Sequence, residues 1–379
     1  MKIILVIDSF KGSLSSKDTE DVVSQELKKI MPDINIVSIP IADGGEGFLS
    51  AITQNIPTQT HYVHAHNPCM EIIKAPYNIS EDGETAYIEM ASISGLPLIR
   101  EDQRNPIKTT TYGTGELIKD ALEKGCRKFI IGIGGSATND AGTGMLQALG
   151  FCFLDKEGIS LGQGGGILEK IASIDSTFQH PKLKNAHFII ACDVKNPFYG
   201  PNGAAPIFAR QKGADDSMIS ALDRGMHSFA QIIKAHTGKD IATLPGSGAA
   251  GGLGGGMAAF LNCELKSGAE ILLDISKFHE KVEKADLIIT GEGKIDKQTL
   301  MGKLPYHILR AGIKRKIPVI AIAGQVEDKS ELLHAGFEAI YQTSPDSMNL
   351  KEAMKPETAK ENIRKAIKKL ASFHFRSPF

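Results

Sequence analysis

Strong net charge, a cysteine framework and long apolar runs are all missing from this 379-residue chain, and each absence removes a class of function. The formal net charge is -1, which provides no basic field for gripping a nucleic-acid backbone. The five cysteines, Cys69, Cys126, Cys152, Cys192 and Cys263, are scattered, odd in number and never spaced C-x-x-C. They suggest neither a disulfide scaffold nor a zinc knuckle, and they fit a reducing cytoplasm. The first apolar run, Ile3 to Ile7, breaks at Asp8, far short of a signal-peptide core or a membrane span, so it reads as a buried first strand. The chain has no fixed-period repeat, and no low-complexity linker or charge block separates its halves.

What is present is an ordinary soluble composition, 42% hydrophobic and 23% charged, on a chain long enough to predict two domains. Glycine stands out, with 39 residues clustered near 44–47, 132–144, 162–166, 246–256 and 291–293, where backbone must turn sharply or approach something closely. Strands are expected at 3–7, 35–39, 286–290, 317–323 and 338–341, alternating with helices, which implies a doubly wound parallel α/β sheet. These strands come from both chain ends. The expected organisation is therefore a discontinuous domain, 1–69 and 284–379, interrupted by a second α/β domain, 70–283. The insertion has its own expected strands near 71–78, 85–90, 128–133 and 187–191, with helices near 114–124, 139–149 and 217–236.

In open α/β sheets, ligands bind at the carboxyl ends of strands, where loops and helix N-termini present N–H groups to anions. This sequence loads those positions: Asp8, Ser9, Lys11 and Ser13 after the first strand, Asp43 and Glu46 after the second, Gly134, Gly135, Ser136, Asn139 and Asp140 later. Asp193 follows another strand, and Gly291, Glu292, Gly293, Lys294 and Asp296 another. Carboxylates beside lysines and glycines suit a nucleotide with magnesium, the acids holding the metal while Lys and backbone amides neutralise phosphate. Arg104 could clamp the carboxylate of a small hydroxy acid, and Lys212 and Lys303 are phosphate-contact candidates.

No G-x-x-x-x-G-K-[ST] and no protein-kinase catalytic-loop signature occurs, so any phosphate cradle must be of another kind. The glycine-rich segments 132–137 and 246–252 could supply one, but both also match the loose dinucleotide fingerprint. The residues alone leave a kinase and an NAD(P)-dependent oxidoreductase of a hydroxy acid open, with a non-catalytic ligand sensor as a third reading.

Eight ordered blocks decide among these. DSFKGSLS (8–15), ADGGEG (42–47), RNP with TTTYGTGELI (104–118), GIGGSATNDAGTGML (132–146), CDVKNPFYGPNGAA (192–205), QKGA (211–214), GSGAAGGLGGG (246–256) and TGEGKIDKQTLMGK (290–303) together resemble the bacterial-type glycerate kinase family over nearly the whole chain. The resemblance implies ATP, magnesium and D-glycerate, with 2-phosphoglycerate the usual product. It also implies two α/β domains, one a flavodoxin-like or Rossmann-like doubly wound sheet, with the site in the cleft between them. Beyond what the resemblance carries, our own reading of these residues expects Asp193 as the base and Lys11 as the neutraliser of the transferred group. Arg104, Asp8, Ser9 and Ser13 are expected on the acceptor, and Asp43 or Asp296 on magnesium. Gly134, Gly135, Ser136, Asn139, Asp140, Lys212, Gly291, Glu292 and Gly293 are expected around the phosphates. Neither a membrane nor a nucleic acid is an expected partner.

Overall fold

Along the chain, in a computed structural model that describes residues 1–42 and 44–375, the strands are β1 (Lys2–Ile7), β2 (Asn35–Ser38), β3 (Thr58–His66), β4 (Ile72–Ser80), β5 (Thr85–Glu89), β6 (Lys128–Gly132), β7 (Cys152–Leu154), β8 (Ser173–Asp175), β9 (His187–Ala191), β10 (Cys263–Lys266), β11 (Leu287–Ile295), β12 (Val319–Val326) and β13 (Ala339–Gln342). They fall into two compact units. The first comprises Met1–Asp43, Ser50–Ile56 and Ala269–Phe379, the second Gly44–Leu49 and Pro57–Gly268.

The first unit carries an all-parallel sheet in the order β13-β12-β11-β1-β2. Counted within that sheet the order is 2-1-3-4-5, the flavodoxin-like arrangement, whose switch point lies between β1 and β11. The near-continuous apolar reading of β1 is what a strand covered on both faces requires. Its Ile3, Leu5 and Ile7 pack with Val23 and Leu27 of the helix Ser16–Ile30 and with Ile363, Ile367 and Leu370 of the helix Pro356–His374. Ser15 caps the first of these helices by accepting from the Asp18 amide.

The second unit is built on a six-stranded mixed sheet, β10-β9-β6-β5-β4-β3, with β5, β6, β9 and β10 parallel and β3 and β4 antiparallel at one edge. The four parallel strands end at Glu89, Gly132, Ala191 and Lys266, which gathers the segments following them along one sheet edge. Phe129 stacks on Phe188 across the neighbouring strands β6 and β9, inside a core that also takes Leu117, Met145, Phe153 and Phe229.

Three local expectations are corrected. The segment 58–66, assigned with the chain ends by a boundary at 69, is β3, held in the second sheet by a nine-residue register with β4 from Thr58↔Ser80 to His66↔Ile72. The strand expected to stop at 290 continues to Ile295, so Gly291, Glu292 and Gly293 lie in β11 rather than in a loop. Gly291 permits this extension, because a Cβ there would sit 2.1 Å from the Ile322 carbonyl oxygen on β12. The helix expected from 139 begins at Thr143, since Ala141 and Gly142 both take positive φ.

Candidate functional site

At the first unit's switch point, the chain leaves β1 into a tight turn in which the Phe10 amide donates to the Leu14 carbonyl and the Ser13 amide to the Phe10 carbonyl. Gly12 takes φ +73 at its tip, leaving Lys11 exposed. The Asp8 amide donates to the Gly291 carbonyl, which ties the turn to β11, and Asp8 Oδ1 accepts from the Ser9 amide at 2.7 Å. Beneath this turn the helix Ser16–Ile30 presents Ser16, whose Oγ donates to the Ile7 carbonyl and accepts from the Ile41 amide, and Glu20, whose Oε1 accepts from the Ile7 amide at 3.1 Å. Burial pushes the Glu20 carboxyl well above its usual range. Ser13 Oγ, in the turn after β1, and Thr290 Oγ1, within β11 opposite Val6, are buried polar atoms without a partner among the described residues.

Further along β11, Glu292 is clamped by its own unit. Oε1 accepts from Thr299 Oγ1 at 2.8 Å and Oε2 from Lys303 Nζ at 3.1 Å. Burial raises its carboxyl, and the Lys303 charge opposes that rise. Asp296 caps the 3-10 turn Lys297–Met301 by accepting from the Gln298 amide at 2.9 Å, so one of its oxygens is engaged locally. Asp43 lies outside the described residues. Among the described residues, no three His, Cys, Asp or Glu side chains gather in a way that would hold a metal ion.

In the second unit, the segment after β6 is organised around Asp140, which is fully buried. Its Oδ2 accepts from the Thr111 amide (2.8 Å), Thr111 Oγ1 (2.9 Å), the Gly144 amide (3.2 Å) and Thr110 Oγ1 (3.3 Å), and its Oδ1 accepts from the Gly142 amide (3.2 Å). Burial raises this carboxyl while those donors pull it back. Thr109 Oγ1 donates to the Ala137 carbonyl, so the three consecutive threonines brace the loop from one side. From the other side comes the 246–256 segment. The Ala141 amide donates to the Gly251 carbonyl, and a Cβ on Gly251 would stand 2.1 Å from the Thr138 carbonyl oxygen. The glycines of that segment are explained by this close backbone packing.

Within this framework Lys212, 2% exposed, donates from Nζ to Ser136 Oγ and to the Thr138 carbonyl, both at 2.7 Å. Burial lowers its amine to about 7, with Asp140 opposing. Thr138 Oγ1, Asn139 Oδ1 and Arg104 Nε are buried in the same unit without partners. Arg104 is tied to this region through its backbone, since a Cβ on Gly213, next to Lys212, would lie 2.3 Å from the Arg104 carbonyl oxygen. The amides of Gly134 and Ala137 donate to the carbonyls of Gly44 and Ser94, and the Gly135 carbonyl accepts from Leu96. One strand over, past β9, Asp193 is exposed, and its Oδ1 accepts from Ser267 Oγ (2.7 Å) and the Gly268 amide (3.1 Å).

The expected residues thus form two groups. Asp8, Ser9, Lys11, Ser13, Gly291, Glu292, Gly293 and Asp296 belong to the first unit, while Arg104, the 134–140 loop, Asp193 and Lys212 belong to the second. Sequence reasoning missed Glu20, Glu89 and the threonines. Glu89, at the end of β5, accepts from the Leu49 amide, and burial raises its carboxyl. Glu20 sits mid-helix among charged neighbours, where nothing in the pattern sets it apart. The run Thr109-Thr110-Thr111 was a readable signal, because three hydroxyls ahead of a helix suit a buried carboxylate.

Comparison with known proteins gives a consistent picture. The model of the glycerate kinase family matches residues 3–374. A glycerate 2-kinase of Escherichia coli is 42% identical, over 98% of this chain and 97% of its own. A glycerate kinase of Halalkalibacterium halodurans is also 42% identical, over 93% of each. Among solved structures, a Salmonella typhimurium LT2 protein described as a glycerate kinase 2 aligns with TM-score 0.84 at 40% identity, over 98% of both chains.

Proposed function

The chain belongs to the glycerate kinase family, and from that premise we propose that it transfers the γ-phosphoryl group of ATP to a hydroxyl of D-glycerate, releasing 2-phosphoglycerate and ADP. The observation that carries this reading is the match over residues 3–374, because it includes every segment that ends at the two sheet edges just described.

The nucleotide is assigned to the first unit. Phosphates favour the switch point of a 2-1-3-4-5 sheet, and there the exposed Lys11 and the orphaned Ser13 Oγ and Thr290 Oγ1 offer a cation and hydroxyl groups beside the end of β1. The acceptor is assigned to the second unit, where Arg104 and Lys212 suit a carboxylate and Asp193 is the exposed carboxylate after β9. This division reverses part of the expectation from sequence, which put Asp8, Ser9 and Ser13 on the acceptor and the 134–140 loop on the phosphates. The reversal rests on Asp140, whose oxygens are occupied by internal donors and whose role is to shape the loop.

In the reaction, the acceptor oxygen attacks the γ-phosphorus, the bond to the β-phosphate oxygen breaks, and the hydroxyl proton passes to Asp193. Lys11 offsets negative charge developing on the transferred group. Asp8 and Asp296 are hard oxygen donors of the kind magnesium takes alongside phosphate oxygens, and one or two carboxylates suffice when the metal arrives on a nucleotide. Bound magnesium would neutralise charge on the phosphate oxygens. The test is ADP release from ATP on adding D-glycerate, run beside an NAD(P)-linked assay of hydroxy acids. Nicotinamide-dependent turnover without ADP release would overturn the reading in favour of an oxidoreductase.

A further inference from the structure

Among the described residues Lys212 is the one fully buried lysine, and its Nζ donates to two acceptors, Ser136 Oγ and the Thr138 carbonyl. A neutral amine has two N–H donors, and both are satisfied by that pair. An ammonium has three donors and needs a third acceptor. No carboxylate of the described residues forms an ion pair with it. Asp140 acts on it through its charge, but that carboxylate is already held by Thr111, Gly142 and Gly144. Of the other charged groups near this turn, Asp215 is engaged in capping the helix that follows, accepting from the Met218 amide and Ser217 Oγ. Arg210, on the same turn, binds Asp216, and Arg104 packs through its backbone on Gly213. Thr138 Oγ1, the hydroxyl of a fully buried residue of the adjoining loop, has no partner among the described residues and can donate to an anion. Among the described residues this is an incomplete polar cluster with no anion bound to Lys212.

We propose that Lys212 is the residue that receives the acceptor's carboxylate, the anion supplying the third acceptor that its ammonium form needs, so that binding draws a proton onto the amine. The identity of the anion rests on the glycerate kinase reading, whereas the incomplete cluster does not. The depressed amine, at about 7, is consistent with this behaviour. A nearby opposite charge raises such a group by about 1–3 pH units. Binding at pH 8 should therefore take up roughly four-tenths to nine-tenths of a proton and at pH 6 almost none.

The experiment uses the full chain with D-glycerate as the probe. Calorimetric titration in two buffers of different ionisation heat gives the protons taken up at pH 6 and pH 8. Steady-state kinetics from pH 6.5 to 8.5 give KM for glycerate in the wild type and in Lys212→Met. Support consists of uptake at pH 8 with a wild-type KM that climbs above pH 7. In Lys212→Met, KM should be raised about 10- to 100-fold and be flat with pH, with kcat changed less. A wild-type KM independent of pH overturns the proposal even if the variant does not fold. So does a folded Lys212→Met that keeps the wild-type pH profile. If the wild type turns over no glycerate at any pH, the functional reading fails instead, and the two failures are distinguishable.

Discussion

Replacing Asp140 by alanine removes one acceptor from five converging donors, and the cost can be worked from the geometry. The amides of Thr111, Gly142 and Gly144 lie 2.8, 3.2 and 3.2 Å from its oxygens and lose their only buried partner. Each stranded amide costs about 1–3 kcal/mol. Relief of the desolvation of a buried carboxylate returns part of this, leaving a net loss of about 3–5 kcal/mol. At roughly 2–4 °C per kcal/mol for a domain of this size, the second unit should melt about 6–20 °C lower. Asp140→Asn keeps one carbonyl acceptor but turns an NH2 toward groups that are themselves donors, so it should lose about half as much. Chemical denaturation of both variants gives the energies, and kinetics well below the melting temperature give KM for ATP, which should stay near the wild-type value. The reasoning is refuted if Asp140→Ala melts within about 1 kcal/mol of the wild type while turnover collapses. In that case the carboxylate acts on a ligand and not on the loop.

Asp193→Asn removes the proposed base and should lower kcat about 10²- to 10⁴-fold while nucleotide affinity holds, as fluorescence titration with ATP can check. Lys11 is exposed at a turn tip, so Lys11→Ala should cost less than about 0.5 kcal/mol of stability yet lower kcat roughly 10²- to 10³-fold; equal losses of both would point to a structural role. Gly251→Ala places a Cβ 2.1 Å from the Thr138 carbonyl oxygen at φ +65, and denaturant unfolding should show a loss of about 2–4 kcal/mol. Lys212 also sets a pH trend. An unfolded lysine holds its proton up to its ordinary 10.5, whereas the folded amine releases it near 7. Between those values the unfolded chain binds more protons, so the wild type should gain stability relative to Lys212→Met as pH rises from 7, by up to about 1.4 kcal/mol per pH unit.

The parallel sheet was legible because β1 and β12 are short apolar runs that end in glycine or polar residues. Their alternation with helices at both chain ends allows few topologies. What sequence patterns missed depended on contacts between distant segments. β3 reads TQTHYVHAH, with little apolar character, and is fixed by its long register with β4. The extension of β11 through Gly-Glu-Gly looked like a turn because glycine signals both turning and close approach, and only the neighbouring Ile322 carbonyl separates the two. At the site, Asp140 and Lys212 were visible as residue types. Their roles were not, because burial without a paired counter-ion is a property of the packed chain and leaves no mark in the local sequence.

The central claim is phosphoryl transfer from ATP to D-glycerate, and phosphorus NMR of the products tests it most directly. Incubation with ATP, magnesium and D-glycerate should give ADP and a new phosphomonoester signal coupled to the proton on carbon 2. A signal coupled to the carbon 3 protons would contradict the assigned acceptor hydroxyl, and the absence of any phosphomonoester would contradict the claim itself.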